Sequence, residues 1–267
     1  MQENTILTPE SIRASGEIPQ HVSIIMDGNG RWAGARFRPR VFGHHKGALA
    51  VRRTVETARK LGVKYLTLYA FSDENWGRPA YEVSAVMDLL EKYINRELSN
   101  LHQNGIRLNA IGELHRLPDR TKKILDQAVL QLSGNSQMVL TLCLSYGGRS
   151  EISDALKKIA SKIESGQLTS SQISAELIGN YLWTAGMPDP DLMIRTSGEL
   201  RLSNFLLWQH AYSEMYFCKS SWPDFSEAHF LEAVQSFQGR QRRFGQIKEA
   251  SRPLTLEEME ELKREDY

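Results

Sequence analysis

A polar turn carrying groups that bind phosphate or a metal ion follows the first apolar run of the chain. Residues 22–26 are apolar and predict a buried strand, and residues 27–31 then read DGNGR. The glycines let backbone N–H groups approach a phosphate, Arg31 adds positive charge, and Asp27 can bind a metal ion. An exposed Asp in a tight turn is the alternative. The bases that follow favour an anion site, since they would otherwise repel one another; they are Arg36, Arg38, Arg40, His44, His45 and Lys46.

A second loop, residues 72–79 (SDENWGRP), joins a predicted strand to a long predicted helix. It combines carboxylates, an amide, an indole and a guanidinium, which is typical of a loop that contacts ligands. Ser72 or Asp73 could instead serve as a helix N-cap. Capping requires neither Trp76 nor Arg78, so we interpret the loop as a second candidate for substrate binding.

A third candidate segment, residues 195–203, reads RTSGELRLS. Arg195 and Arg201 could bind a second anion through their forked donors, and solvated surface arginines are the alternative. Glu214 follows between aromatic residues. A partly buried carboxylate needs a cation or hydrogen-bond donors, so Glu214 could be a metal ligand or an ordinary ion-pair partner.

The elements that position these loops follow from the hydrophobic pattern. Short apolar runs alternate with amphipathic segments, which predicts a mostly parallel sheet flanked by helices on both faces. Ligands of such sheets lie beyond the carboxyl ends of the strands, where the three candidate loops and the SYGGR motif begin. The predicted strands are 22–26, 63–70, 106–111, 138–144 and 192–194, and the predicted helices are 46–61, 79–104, 118–132, 150–163 and one after Thr169.

Composition limits the remaining possibilities. The formal net charge of +1 gives no global field for nucleic acid, so an anionic ligand must be bound by local clusters of bases. Cys143 and Cys218 lack the spacing of a metal site or disulfide framework and are interpreted as core thiols. We expect a polar N-terminal segment (1–20), a catalytic domain (21–245) and a charged C-terminal tail or helix (246–267).

The motifs, taken together, resemble those of a known family. HVSIIMDGNGRWA, FGHHKG, LYAFSDENWGRP, SYGGR, IRTSGELRLSNFLLWQ, and SEMYF with WPDF occur in the order and spacing of undecaprenyl diphosphate synthases and other cis-prenyltransferases. The resemblance covers residues 20–245 and implies an α/β fold with a hydrophobic tunnel. It also implies a Mg²⁺-dependent homodimeric enzyme that adds isopentenyl diphosphate to an allylic diphosphate, with no nucleic-acid partner.

The resemblance also implies roles for individual residues. Asp27 corresponds to the essential metal-binding carboxylate, and Glu214 to a second carboxylate associated with magnesium. Asn75 is a candidate for the proton-transfer step, and Arg243 for a contact across the dimer. The allylic diphosphate pocket would comprise Gly28, Asn29, Gly30, Arg31, Arg40 and His44, with Trp32 as its wall. The loop that covers the substrates would comprise Ser72, Asp73, Glu74, Trp76 and Arg78, and the isopentenyl diphosphate site Arg195, Arg201, Leu202 and Ser203.

Some positions depart from the family pattern, and other functions were weighed. Asp73 stands where Ser is common, Ser145 where Asn is, and His45 where Lys or Arg is frequent, which leaves chain length and substrate preference open. A nucleotide-dependent kinase or ATPase is disfavoured because no G-x-x-x-x-G-K-[ST] motif occurs, and a trans-prenyltransferase because no Asp-Asp-x-x-Asp motif occurs. A noncatalytic partner subunit would have no need to keep ligands of both diphosphate sites.

The expected product and cellular location also rest on the resemblance. We expect a medium-chain product such as undecaprenyl diphosphate, made from farnesyl diphosphate as the precursor of a cell-wall lipid carrier. No apolar window is long enough to span a bilayer, and residues 1–20 lack the apolar centre of a signal peptide. We therefore expect a cytoplasmic protein that contacts the inner face of the membrane transiently when it releases product.

Overall fold

Apolar segments of the chain form a six-stranded sheet in the order β3-β4-β2-β1-β5-β6. The structure is a computed structural model that describes residues 7–240 and residue 255. All neighbouring strands within these residues pair in parallel, which confirms the predicted sheet. The strands are β1 (His21–Ile25), β2 (Tyr65–Ser72), β3 (Ile106–Ile111), β4 (Met138–Tyr146), β5 (Leu192–Arg195) and β6 (Glu214–Phe217).

Helices cover both faces of the sheet. On one face, a continuous buried cluster joins the strands to α3, α4, α5 and α8. A second buried cluster lies on the other face and includes Tyr146, Phe205 and Leu206. The helices are α1 (Pro9–Ser15), α2 (Asn29–Gly34), α3 (Arg40–Leu61), α4 (Ala80–Gln103), α5 (Asp119–Gln131), α6 (Gly148–Glu164), α7 (Ala175–Tyr181) and α8 (Glu227–Gln238).

Two elements differ from the sequence-based expectation. Helix α3 begins at Arg40, directly after Pro39, six residues earlier than predicted. The polar segment 1–20 contains α1, which a Thr8–Ser11 capping box starts, and Ile12 of this helix is only 1% exposed. Ile12 belongs to the main core cluster, so this part of the segment packs with the domain. Among the described residues, no helix combines the length and apolar character needed to cross a membrane.

The sheet order brings the candidate loops to one edge. Strand β1 lies near the centre of the sheet, between β2 and β5. The strands β2, β3 and β4 extend the sheet on one side of β1, and β5 and β6 extend it on the other side. This change from one side of β1 to the other opens a crevice beyond the carboxyl ends of the strands. Asp27 follows β1, the 72–79 loop follows β2, and Arg195 ends β5, so all three lie at this crevice.

Candidate active site

Asp27 lies at the centre of the crevice between two arginines. Its Oδ2 accepts hydrogen bonds from Arg195 Nη2 at 2.9 Å and forms an ion pair with Arg31 Nη2 at 3.0 Å, and its Oδ1 accepts one from the Gly28 amide at 2.6 Å. Burial alone would raise the pKa of Asp27, but the bonds from Arg195 and Arg31 outweigh it and hold the pKa below its usual value. The carboxylate is therefore ionised at neutral pH and ready to contact a cation.

The turn after Asp27 packs closely against α3. Gly28 has φ +101°, a left-handed conformation that suits glycine. A Cβ atom at Gly43 would lie 1.9 Å from the Asn29 carbonyl oxygen, and one at Gly47 would lie 2.4 Å from Asn29 Oδ1. This Oδ1 is buried and has no hydrogen-bond partner within the described residues. The two glycines of α3 thus allow the turn to lie against the helix.

On the other side of the crevice, the buried carboxylate of Glu82 contacts three basic side chains. It is 2% exposed and lies in the first turn of α4. Arg40 Nε lies 3.2 Å from both of its oxygens, Arg78 Nη1 lies 3.1 Å from Oε1, and His44 Nε2 lies 3.7 Å away. Glu82 is not among the residues predicted from the sequence, because its partner Arg40 lies 42 residues earlier in the chain.

His44 is neutral at this position. Burial, together with the charges of Arg78 and Arg40, lowers its pKa to about 4, although Glu82 opposes the shift. Its Nε2 is buried without a hydrogen-bond partner within the described residues. At neutral pH the imidazole can therefore donate or accept a hydrogen bond in the crevice without adding charge.

The loop after β2 folds into a 3-10 helix, Asp73–Gly77. Asn75 Oδ1 accepts a hydrogen bond from the Ser72 amide at 3.2 Å, so Asn75 closes the start of this turn. Trp76 packs edge-on against Phe71, and its Nε1 donates to Ser145 Oγ at 2.9 Å. Asp73 pairs with Arg116 and not with a residue of the crevice. Only Asn75 and Arg78 of this loop line the central cavity.

The segment after β5 surrounds the Arg195 guanidinium. Arg195 is 3% exposed and donates to Ser203 Oγ at 2.8 Å and to the Arg201 carbonyl oxygen. Its Nε is buried and has no partner within the described residues. Glu199 lies 2.5 Å from both Arg31 and Arg201 and so joins the first candidate loop to the third. Leu202 packs against the second core cluster.

A cavity of about 260 Å³ extends from the crevice into the protein. Its mouth is polar and contains nine of the predicted site residues: Asp27, Gly28, Asn29, Gly30, Arg31, Arg40, His44, Asn75 and Arg78. Its interior is apolar and lies between α3, α4 and the strands β2 and β4, where the lining includes Val51, Leu68, Ala70, Val86, Leu90, Leu142 and Leu144. A ligand with an anionic head and an apolar tail fits this arrangement.

Comparison with known proteins decides the family. Residues 25–245 match the model of the family described as undecaprenyl diphosphate synthase. The chain belongs to this family. It is 50% identical to the isoprenyl transferase of Bacillus subtilis (strain 168), over 87% of this chain and 89% of the relative. It is 48% identical to that of Clostridium perfringens (strain 13 / Type A), over 90% of this chain and 94% of the relative.

Solved structures agree with this assignment. Lavandulyl diphosphate synthase from Lavandula x intermedia, in complex with dimethylallyl diphosphate, is 37% identical and superposes with a TM-score of 0.83 over 86% of this chain and 99% of that one. A probable undecaprenyl diphosphate synthase from Campylobacter jejuni is 30% identical, with a TM-score of 0.71 over the same shares. The predicted family, fold and enzyme class are confirmed: the protein is a prenyltransferase.

Glu214 of this prenyltransferase lies at the other end of the sheet from Asp27. Glu214 pairs with Leu192 at the start of β5. Ile25 pairs with Arg195 at the end of β5, and Asp27 lies two residues beyond Ile25. Five residues of strand span about 16 Å, too far for both carboxylates to bind one ion. Asp27 and Glu214 of one chain therefore cannot bind the same ion, and the association of Glu214 with magnesium stays a prediction. Glu214 instead pairs with Arg240 at 2.7 Å, the alternative that its sequence context left open.

Asp27 by itself fits a magnesium site. A carboxylate offers about four lone pairs, and three protein donors contact this one, so one remains for a cation. Magnesium commonly takes one or two carboxylates and completes its shell with water and substrate phosphates. In the part of the chain that the structure describes, no group of three or more His, Cys, Asp or Glu side chains could hold a metal ion by itself.

Two further predicted site residues lie apart from the cavity. Trp32 stacks on Phe42 with ring centroids 6.0 Å apart and does not line the cavity. Glu74 accepts a hydrogen bond from Asn204 at 3.0 Å, outside the cavity mouth. Arg243 lies outside the described residues, as do residues 246–254 and 256–267 of the predicted tail.

Proposed function

We propose that this prenyltransferase condenses isopentenyl diphosphate with an allylic diphosphate, with farnesyl diphosphate as the starter. The product would be a medium-chain polyprenyl diphosphate such as undecaprenyl diphosphate, the precursor of a lipid carrier for cell-wall glycans. The cavity carries the proposal, because its cationic mouth suits a diphosphate and its apolar interior suits an isoprenoid tail. The dimethylallyl diphosphate bound by the lavandulyl diphosphate synthase supports an allylic substrate here.

The two diphosphates would occupy opposite sides of Asp27. Arg31, Arg40 and Arg78 would bind the allylic diphosphate at the cavity mouth through charge-assisted hydrogen bonds. Arg195, Arg201 and Ser203 would bind isopentenyl diphosphate on the β5 side. Mg²⁺, held by Asp27 and substrate oxygens, would offset the repulsion between the two diphosphates when it is bound.

The reaction would form one carbon–carbon bond. The bond from allylic C1 to its diphosphate oxygen breaks, the double-bond electrons of isopentenyl diphosphate attack C1, and isopentenyl C2 loses a proton. Asn75 lies at the cavity mouth, but an amide is too weak a base to take that proton. Its part would be to orient the diphosphate oxygen or water that does so. Each added isoprene unit then buries further apolar surface in the cavity.

A direct test is incorporation of radiolabelled isopentenyl diphosphate by the purified chain, with mass spectrometry of products made from farnesyl diphosphate. We expect a ladder of medium-chain products. Asp27→Asn is the matched inactive variant, because the Asn side chain keeps an acceptor for Arg195 but lacks the charge that would hold the cation. It should fold normally and lose turnover. No incorporation by the wild-type chain alone would instead favour a noncatalytic subunit, and products of one or two additions would indicate a short-chain enzyme.

We also infer that the enzyme is a homodimer that contacts the inner face of the membrane transiently to release its lipid product. The proposed dimer rests on the family resemblance. Arg243, the residue proposed to contact the partner chain, lies outside the described residues. Light scattering at assay concentrations should give twice the mass of one chain. A fully active monomer would contradict this proposal.

A further inference from the structure

The segment from the turn before α2 through most of α3 is rich in basic residues. Residues 28–55 contain seven Lys and Arg residues and no Asp or Glu. Acids from other elements pair with Arg31, Arg40 and Arg52, and Arg53 donates to two backbone carbonyls. Three bases remain on the outer surface: Arg36, Arg38 and Lys46.

These three bases lie beside aromatic rings, of which Phe37 and Phe42 are exposed and Trp32 is partly buried. Arg36 stacks over Trp32 at 3.9 Å, and Arg38 and Lys46 lie 5.5 and 5.7 Å from the Phe42 ring. Phe37 lies between them and is 99% exposed. We call the group of Trp32, Arg36, Phe37, Arg38, Phe42 and Lys46 the Phe37 patch.

The exposure of Phe37 is fixed by the backbone. Its φ is +54°, which a bulky residue rarely adopts, and its amide donates to the Gly34 carbonyl at 3.0 Å. The Arg38 amide donates to Ala33 at 3.0 Å, so the turn is hydrogen-bonded on both sides of Phe37. Three of the nine large apolar side chains that are exposed in the described residues lie within residues 37–49. The apolar surface is therefore clustered and not scattered.

The charge around the Phe37 patch has one sign. Among the ion pairs of the described residues, the single acid at the patch is Asp224, 3.6 Å from Arg36. Arg38 and Lys46 form no ion pair within residues 7–240 that the structure records. An exposed aromatic side chain flanked by basic residues matches the boundary between anionic headgroups and acyl chains.

We propose that the Phe37 patch docks the enzyme on an anionic phospholipid surface, with Phe37 inserted at the level of the headgroups; the benefit to the enzyme rests on the proposed function. The opposite face of the same segment, including Arg31, Arg40 and His44, lines the mouth of the cavity. Docking would therefore hold the cavity mouth beside the bilayer, where a product with a long apolar tail must go.

Vesicle flotation without substrate tests the docking separately from catalysis. Wild-type protein should float with phosphatidylcholine vesicles that contain phosphatidylglycerol, and should not float with phosphatidylcholine alone or in high salt. Phe37→Ser should reduce the bound fraction severalfold. Arg38→Gln with Lys46→Gln should weaken binding by about fivefold for each cation removed.

Matched controls lie elsewhere on the surface. Leu130 of α5 is 76% exposed, so Leu130→Ser removes a comparable apolar side chain. Lys123→Gln with Lys157→Gln removes the same charge from α5 and α6. Both controls should bind vesicles as the wild type does, and Phe37→Ser should retain the rate of the first condensation in aqueous solution.

Several outcomes would overturn the docking proposal. One is a failure of the wild-type protein to float with anionic vesicles. Another is a bound fraction of Phe37→Ser equal to that of the wild type. Binding to a single-stranded RNA oligonucleotide but not to vesicles would assign the patch to nucleic acid. A changed oligomeric state of Phe37→Ser with vesicle binding intact would assign it to a contact between chains. Absence of isopentenyl transfer by the wild type would contradict the proposed function alone.

Discussion

Arg195 and Arg201 occupy one segment but have different surroundings. Arg195 is 3% exposed and bonds to Asp27 and Ser203. The Arg201 side chain is 60% exposed, and its guanidinium pairs with Glu199. Both are proposed ligands of isopentenyl diphosphate, yet Arg195 is itself buried, whereas the ion pair of Arg201 lies at the surface.

The two arginines should therefore respond differently to truncation. Arg201→Ala should raise the KM for isopentenyl diphosphate about tenfold or more, since a charge-assisted hydrogen bond contributes about 1.5–3 kcal/mol. Its Tm should stay unchanged. Arg195→Ala should raise the same KM and also lower the Tm, because Asp27 loses a partner. Steady-state kinetics and thermal unfolding measure both effects; equal Tm values, or a change confined to the allylic substrate, would contradict this account.

At the scale of elements, Asn204 connects three segments of the site. It adopts φ +61°, which Asn tolerates better than most residues. Its carbonyl oxygen and Oδ1 accept from the Gly148 and Arg149 amides at 2.7 and 2.9 Å at the start of α6. Its Nδ2 donates to Glu74 at 3.0 Å in the loop after β2. Asn204 thus ties the loop that carries Asn75 to the segment that carries Ser203.

We expect Asn204→Asp to separate these segments, because it places a carboxylate against Glu74 while keeping the acceptor for α6. The kcat should fall with little change in Tm. In a Glu74→Gln background the same substitution should cost less, since the Gln amide can donate to the new Asp. A double-mutant cycle on kcat measures this coupling. Equal losses in both backgrounds would show that the contact has no part in positioning the loop.

Product length should depend on how far the tail can advance between the strands and helices. Ala70 of β2 lines the cavity, as do Leu142 and Leu144 of β4. Ala70→Leu should therefore shift the product ladder toward shorter chains with nearly unchanged KM for isopentenyl diphosphate, because the diphosphates would bind at the polar mouth of the cavity. Ala110→Leu on β3 is the matched control, since Ala110 does not line the cavity. A ladder from Ala70→Leu identical to the wild type would contradict this prediction.

The sequence predicted where the strands lie along the chain better than it predicted which of their residues face the cavity. Continuous apolar runs located β2 and β4, and Ala70 of β2 lines the cavity. Met138, in the same apolar run as β4, does not line the cavity. Met138 pairs with Ile106 at the start of β4 and is 1% exposed, a position set by the register with another strand. Register and the long-range pairing of Glu82 with Arg40 depend on contacts that local patterns do not encode.

At the scale of the whole molecule, three histidines of the described residues are held in neutral form: His21 and His210, which are buried, and His44, which is partly buried. Burial lowers the pKa of His21 to about 4 and that of His210 to about 3, and His44 behaves similarly. His21 bonds to Thr67 Oγ1 at 2.8 Å and to the Pro188 carbonyl at 2.6 Å across the sheet. These histidines bind protons readily in the unfolded chain and poorly in the folded one.

Mild acid should therefore destabilise the fold. The pKa of these histidines is near 6.5 in the unfolded chain and lower in the folded chain. At pH values between the two, the unfolded state binds more protons, so the free energy of unfolding falls as the pH falls. Each histidine should remove about 2 kcal/mol between pH 7 and pH 5. Glu151 opposes this trend, since burial raises its pKa. Urea midpoints at the two pH values measure the effect, and a midpoint that is unchanged or higher at pH 5 would contradict it.

The close packing of α3 on the turn after β1 limits how the enzyme can be engineered for heat resistance. Replacing glycine by alanine inside a helix usually adds about 1 kcal/mol of stability. At Gly43 and Gly47 the new methyl group would collide with Asn29, so the standard substitution would displace the turn that carries Asp27. At Gly179 in α7 an added methyl group would meet no atom within 4 Å outside the adjacent residues and backbone of its own helix. The backbone there keeps an ordinary φ, so a thermostability programme can begin at Gly179 without touching the catalytic crevice.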